Sequence, residues 1–456
     1  MTTMHATQSC QHKLASQLLS LFSMLAAKLG KVSLIVGLIT LALCGASHAA
    51  TINLSCDSVH SHPEICRSVA EDWARKTNNE VHVVNAPNDS NERLAFYLGL
   101  LRSASDKIDI FEIDVIWPGL MANYFIDLRP YSKSVEKQFF PDMLANNTVN
   151  NRLIALPWYS DTGIMFYRKD LLKKYGFGLP KTWKELAVTA KKTQDAERAA
   201  GNLKMWGYVW QGRAYEGLTC NAMEWLGSYC GGTLIDENGK VTINNPHAIE
   251  ALKTAASWIG SISPKAVLNY GEEESRGVFQ SGNAVFVRHW PVVWAGSQRA
   301  DSMVRGKVGV MALPTGSAAG RSTGALGGWQ LAVSKYSKNQ ALAADLVNYL
   351  TSAEVQGPRA IRSSVNPTIM SLYSDPALVK ANPFMAELYD SFATAVRRPS
   401  TVTGGKYDQV SALFWSATHE VLSGKKSADI ALVELEAALN RLAPGGKWTA
   451  PALENP

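Results

Sequence analysis

The sequence predicts an α/β fold of mostly parallel sheets flanked by helices, divided between two interleaved domains. Three observations carry this. Short apolar runs alternate with segments of helical periodicity, the pattern of layered α/β structure. About 400 of the 456 residues follow an N-terminal leader, too many for a single hydrophobic core. No tandem repeat or long linker divides the chain, so the domains should be joined by short crossovers.

The leader comes first. Lys28 and Lys31 precede the apolar run Val32–Cys44, and Ser47-His48-Ala49 supplies an A-x-A-like cleavage site. At 13 residues the run falls short of the roughly 20 that span a bilayer. Residues 1–49 are therefore read as a signal peptide cleaved after Ala49, and the remainder as a soluble periplasmic protein. A start at Met24 would give a leader of ordinary length. Leu41-Ala42-Leu43-Cys44 approaches a lipoprotein signal, but bulky Leu43 stands where a small residue is wanted, so lipid anchoring at Cys44 is not expected.

The mature chain opens on a strand, Thr51–Ser55, followed by a helix carrying Val69, Trp73 and Ala74. A second strand, Val81–Val84, a helix over Arg93–Leu101 and a buried strand over Ile108–Ile116 continue the alternation. Thr182-Trp-Lys-Glu185 is a capping box. Leu218, Ala222, Trp225, Leu226 and Tyr229 repeat at helical spacing until Gly231-Gly232 ends the run. Ala284–Val287 is read as a strand, Gly327-Gly328-Trp329 opens another, and Asn339–Leu350 places Ala343, Ala344, Leu346, Val347 and Leu350 on one helical face. From Phe384 almost to Leu442 the chain is read as helical, interrupted at Arg397–Ser400 and Thr403–Gly405.

Cys10 and Cys44 leave with the leader, so Cys56, Cys66, Cys220 and Cys230 remain, with three possible pairings. Export permits their oxidation. On one helix Cys220 and Cys230 would lie roughly 15 Å apart, beyond the ~7 Å limit for a disulfide. Cys56–Cys66 is the favoured pair. The same segment, Cys56-x3-His60-x-His62-x3-Cys66, has the ligand types of a zinc or copper site, an alternative that oxidation would remove.

Loss of Lys13, Lys28 and Lys31 lowers the formal charge from +6 to +3, and no basic cluster stands out, so nucleic-acid binding is not expected. No Gly-x-Ser-x-Gly, His-Glu-x-x-His or Walker lysine loop occurs. A secreted glycoside hydrolase, which needs only two spaced carboxylates, remains the enzymatic alternative.

Two segments carry the functional signal. Asp109–Gly119 ends an apolar run with Asp114 beside Val115-Ile116-Trp117, and Leu156–Gly163 sets Asp161 two residues after Tyr159. An aromatic ring stacks on the C–H face of a pyranose, and a carboxylate accepts its hydroxyl protons. Trp290, in Arg288-His-Trp-Pro291, and Trp329, after Gly327-Gly328, sit in similar settings among 13 Trp and 15 Tyr. Each has a plainer reading. Asp114 could cap a helix before Pro118, Asp161 a turn, and single tryptophans are more often core than site. Glu64 and Arg93 sit near helix starts, and Arg398 could be a solvated loop charge.

Together these segments resemble the bacterial extracellular solute-binding proteins of ABC importers, in their trehalose/maltose-binding branch, over nearly the whole mature chain. The resemblance is carried by Ile113–Gly119, Leu156–Gly163, Tyr167–Leu172, Trp210–Gly217, Arg288–Pro291, Leu326–Trp329 and Arg398–Ser400. It implies a two-lobe periplasmic-binding-protein fold of the type II kind, with residues 50–157 and 328–396 in one lobe and 158–327 and 397–456 in the other. Hinge crossovers are expected near Leu156–Tyr159, Leu326–Trp329 and Val396–Ser400. By motif, Glu64, Asn88, Arg93 and Asp114 are implied as first-lobe hydroxyl ligands, and Tyr159 and Asp161 as ligands from the hinge edge. Trp290 and Trp329 are implied as stacking platforms, Gly328 as backbone close to the sugar, Arg398 as the closing residue, and Tyr215 and Glu216 as further contacts. His60, Ser61 and His62 depart from the small residues usual there. The implied ligand is a disaccharide such as trehalose or maltose. The implied partner is a membrane permease, with no cofactor and a monomeric protein. A sensor role using the same fold is a further alternative.

Overall fold

The computed structural model describes residues 49–56, 63–133, 135–316, 320–387 and 395–448. The leader up to His48, together with His60 and His62, lies outside the described residues. From Thr51 onward the chain clusters as one unit. Among the described residues, no helix is long and apolar enough to cross a membrane.

The first lobe begins as the apolar periodicity requires. Strand β1 (Thr51–Leu54) leads through α1 (Pro63–Thr77) to β2 (Glu80–Val83), and α2 (Ser90–Arg102) leads to β3 (Ile110–Asp114). Asp89 caps α2 by accepting from the amides of Asn91 and Glu92. Parallel pairing of β1 with β2 and β3 follows from these helical crossovers. A two-residue pair, β4 (Thr148–Val149) and β5 (Arg152–Leu153), precedes β6 (Leu156–Thr162).

Gly163 alone separates β6 from β7 (Ile164–Arg168), which belongs to a second sheet with β8 (Trp206–Val209), β9 (Ala284–His289) and β10 (Val308–Met311). Between these strands lie α3 (Trp183–Ala199), α4 (Glu216–Ser228), α5 (Pro246–Trp258) and α6 (Glu272–Gln280). Thr182 caps α3, its hydroxyl accepting from the Glu185 amide at 3.1 Å. The Glu185 carboxylate reaches back to the amide of Lys181 at 2.7 Å, one residue before the partner a capping box uses.

β11 (Leu326–Val333) then returns to the first sheet, whose order is β2-β1-β3-β11-β6; the second runs β10-β7-β9-β8. The expectation of mostly parallel sheets is corrected here. β11 is antiparallel to β3 and β6, and β7 is antiparallel to β9 and β10. The reason is the crossover itself: β6 carries the chain out of the first sheet and β11 brings it back, so the two run in opposite senses.

Helices α7 (Gln340–Leu350) and α8 (Ala353–Ser363) complete the first lobe, and α9 (Tyr407–Leu422) and α10 (Ala428–Leu442) cover the second. The C-terminal helical stretch has a further break, between α9 and α10. Gly424 adopts φ +74° there, and the Ser427 hydroxyl caps α10.

Two cores result. Ile52, Leu54, Ile110, Phe111, Ile113 and Val333 fill the first. The second is built on indoles: Trp183 and Trp258 have ring centroids 5.3 Å apart, and Trp210 and Trp225 4.9 Å. Much of the tryptophan count is thus core.

Cys56 and Cys66 form a disulfide with a Cα–Cα distance of 6.3 Å, while Cys220 and Cys230 are free. The metal reading of the Cys56–Cys66 segment thereby loses both thiolates.

Three chain passages run side by side where the sheets meet. The Gly163 amide donates to Ala325 O at 3.3 Å, Leu326 N to Val396 O at 2.9 Å, and Val396 N to Gly324 O at 2.8 Å. Beneath them lies the fully buried ion pair Arg288–Glu224, whose carboxylate also accepts from the Ala325 amide at 3.0 Å. A Cβ at position 163 would lie 1.8 Å from Glu224 Oε1, so only glycine fits there.

Candidate functional site

A small cavity lies between the two sheets and is lined by residues of both. Its first wall is the end of the first sheet. Asp114 terminates β3 and stands opposite Trp329 on β11, which in turn pairs with Tyr159 on β6. Gly328 adopts φ +128°, and a Cβ there would sit 2.5 Å from Tyr159 O; glycine lets the two crossover strands close at the cavity edge. The Trp329 ring is braced by Trp117, edge-on at 5.4 Å, and by the Arg93 guanidinium 5.6 Å from its centre.

The opposite wall comes from the second lobe. Trp290 follows β9 and lies against Gly327, where a Cβ would be 2.9 Å from the indole. The Arg288 guanidinium sits 4.1 Å from the Trp290 ring centre. Each indole is therefore backed by a buried arginine, and each arginine by a buried carboxylate, Glu112 for Arg93 and Glu224 for Arg288.

Arg398 joins the walls. Its Nη1 donates to Glu216 Oε1 at 2.9 Å, and its Nη2 to Asp114 Oδ1 at 3.1 Å and Leu326 O at 3.2 Å. Glu216 also accepts from the hydroxyls of Tyr407 and Ser411, both at 2.6 Å. Burial pushes both Asp114 and Glu216 above the usual carboxylate range, and the Arg398 charge opposes this. At the rim, Arg213 pairs with Asp89, and the Glu216 amide donates to Asn91 Oδ1 at 3.0 Å. The lobes are thus in contact across the cleft.

Asp161 is 3 % exposed and lines the cavity, and its Oδ1 has no hydrogen-bond partner. Burial pushes its carboxyl up to about 8, against the attraction of Arg359 and Arg288. A carboxyl held this high is protonated near neutral pH, so it can donate to a ligand hydroxyl while its unpaired Oδ1 accepts from one.

Of the residues singled out from sequence, Asn88, Asp114, Asp161, Tyr215, Trp290, Gly328, Trp329 and Arg398 all line this cavity. Three do not. Arg93 and Tyr159 lie one layer beneath: Arg93 meets Glu112 at 3.5 Å, and the Tyr159 hydroxyl donates to Glu112 at 3.5 Å. Alternation along β3 and β6 puts Glu112 and Tyr159 two residues back from Asp114 and Asp161 on the same face, away from the cavity. Glu64 lies exposed in the first turn of α1. The cavity also takes in Ser90, Glu216, Gly217, Cys220, Glu272 and Gly327. Glu216 and Gly327 sit within segments already noted. Glu272 starts a helix two residues after Tyr270, a carboxylate–aromatic spacing like that of Tyr159 and Asp161, and accepts from the Tyr215 hydroxyl at 2.5 Å. Cys220 lies on the buried α4, and Ser90 opens α2; neither has a local signature.

The family described as "Bacterial extracellular solute-binding protein" matches residues 61–357. A protein of Deinococcus radiodurans named "Probable ABC transporter-binding protein" is 48% identical over 92% of this chain and 100% of its own length. The maltodextrin-binding protein MdxE of Bacillus subtilis is 26% identical over 50% of this chain and 52% of its own. Among solved structures, maltose-bound MalE3 of T. maritima superposes with a TM-score of 0.82, at 36% identity, covering 87% of this chain and 100% of that one. The chain belongs to the bacterial extracellular solute-binding protein family, whose members bind solutes and carry out no chemistry on them.

Proposed function

We propose that this protein captures a disaccharide such as maltose or trehalose in the inter-lobe cleft and delivers it to a membrane permease of an ABC importer. The observation that carries the reading is the cavity itself: two braced indoles, from opposite lobes, beside carboxylates that include an unpartnered Asp161. Indole faces supply contact area for a pyranose, and carboxylates fix the direction of its hydroxyls. The 36% identity to a maltose-bound structure supports the same ligand class.

On this reading Trp290 and Trp329 are the stacking platforms. Asp114, Asp161, Asn88 and Tyr215 take hydroxyls, Gly328 gives close backbone approach, and Arg398 joins the lobes. Arg93 and Tyr159 act beneath the floor, holding Trp329 and Glu112. We take the first lobe as residues 50–157 and 328–396 and the second as 158–327 and 397–456, with β6 and β11 straddling these bounds, a signal peptide over 1–49 and the mature monomer in the periplasm. Ligand touching both lobes shifts the open–closed equilibrium toward the closed form. Tryptophan emission, followed while maltose or trehalose is added, tests this: saturable change is expected, with the sugar recovered intact. Release of free glucose would instead favour the glycoside hydrolase.

A further inference from the structure

We infer that the cleft selects by charge, taking neutral hydroxyl-rich sugars and rejecting the uronate and phosphate forms of the same sugars; this rests on the sugar-capture reading above. Among the described residues, the cavity is lined by four carboxylates, Asp114, Asp161, Glu216 and Glu272, and by a single guanidinium, Arg398. That guanidinium is already committed: both its NH2 groups bond to Glu216, Asp114 and Leu326 O, and only Nε lacks a partner. The cations behind the two indoles are matched as well, Arg288 by Glu224 and Arg93 by Glu112, and both are fully buried. Arg213 at the rim pairs with Asp89 and lies 4.4 Å from the Tyr215 ring centre. Arg359, the nearby cation without an ion pair among the described residues, stacks 3.7 Å from the Trp158 ring centre and is outside the cavity lining, so an anionic ligand on the cavity wall meets carboxylates and one guanidinium that is already paired.

Asp161 gives the rule its direction. It is more than nine-tenths buried, and among the described residues its Oδ1 has no hydrogen-bond partner, so that oxygen lacks a proton donor. A sugar hydroxyl supplies one, whereas a carboxylate or phosphate placed there brings no proton and faces the lining carboxylates Asp114, Glu216 and Glu272. Among the described residues no group of three His, Cys, Asp or Glu side chains is placed to hold a metal ion.

Calorimetric titration of the mature protein with three matched probes tests this: trehalose, its 6-uronic acid, and the methyl ester of that acid, with the maltose series in parallel. The uronate replaces CH2OH by a carboxylate of similar size, and the ester restores neutrality at the same position. The neutral parent is expected to bind at least 100-fold more tightly than the uronate, with the ester recovering most of the loss. Glu272→Gln should narrow the gap. Uronate binding within tenfold of its parent overturns the charge rule and leaves sugar capture standing. No binding by the neutral sugars or the esters overturns sugar capture, and the rule with it.

Discussion

Asp114 at the end of β3 and Glu216 at the start of α4 share one guanidinium, that of Arg398, at 3.1 and 2.9 Å. One carboxylate belongs to the first lobe and the other to the second, and the arginine lies just after the third crossover. The bridge therefore ties the walls of the cavity to the segment that joins them. In this arrangement Glu216 is a structural carboxylate, fully satisfied by protein, while Asp114 keeps one oxygen toward Ser90 and the cavity.

Removing a platform or a cavity carboxylate should abolish binding and spare the fold. Trp329→Ala and Asp114→Ala are each expected to weaken disaccharide affinity by at least 100-fold. Circular dichroism should show both variants folded. Unchanged affinity in both would sink the site assignment.

Asp161 makes stability depend on pH. Its folded-state carboxyl is raised from the ordinary 3.8 to about 8, so its contribution is fully present below about 3.8 and lost as pH rises through about 8. Asp161→Asn has no such titration. The melting temperature of the Asn variant, measured without sugar, should therefore match the parent near pH 4 and exceed it by several degrees at pH 8. A constant difference across that range would contradict the assignment.

Gly328→Ala forces a Cβ into a left-handed position 2.5 Å from Tyr159 O. The strain alone costs about 1–3 kcal/mol, and the clash separates β11 from β6 at the cavity edge. Denaturant unfolding should show a loss of at least 2 kcal/mol, with weaker sugar binding alongside.

The disulfide closes a short loop, Cys56 and Cys66 being ten residues apart. Replacing both cysteines by serine should cost about 3 kcal/mol, the scale expected for a loop of this length. The test is the shift in urea midpoint between the paired variant and the parent. Because Glu64 lies inside the loop and outside the cavity, sugar affinity at low temperature should be nearly unchanged.

Much of this was legible locally, because the signals were local. An apolar run ending in Asp114-Val-Ile-Trp117 is a strand end, and strand ends in α/β layers face the cleft. In the sequence Gly327-Gly328 reads as letting a ligand approach the backbone; what the structure shows is protein crowding, one glycine admitting the Trp290 ring and the other the β6 backbone. What was hidden depends on tertiary placement. Tyr159 and Asp161 share a strand face, yet one lies under the floor and the other in it. That depends on the register across β11, which carries an irregularity between Trp329 and Gln330. Glu272 and Cys220 reach the cavity only because α6 and α4 pack beside β9 and α9. Trp183, Trp210, Trp225 and Trp258 have the same chemistry as the platforms and serve the core, a difference of position that composition cannot express.

The most direct test of the central claim is calorimetric titration of the mature protein, from Ala50 onward, with maltose, trehalose, sucrose and glucose in parallel. Tight one-to-one binding of one disaccharide, recovered intact and lost in Trp329→Ala, is the predicted result. Absence of heat with every sugar would contradict the account and point to a different solute for this cleft.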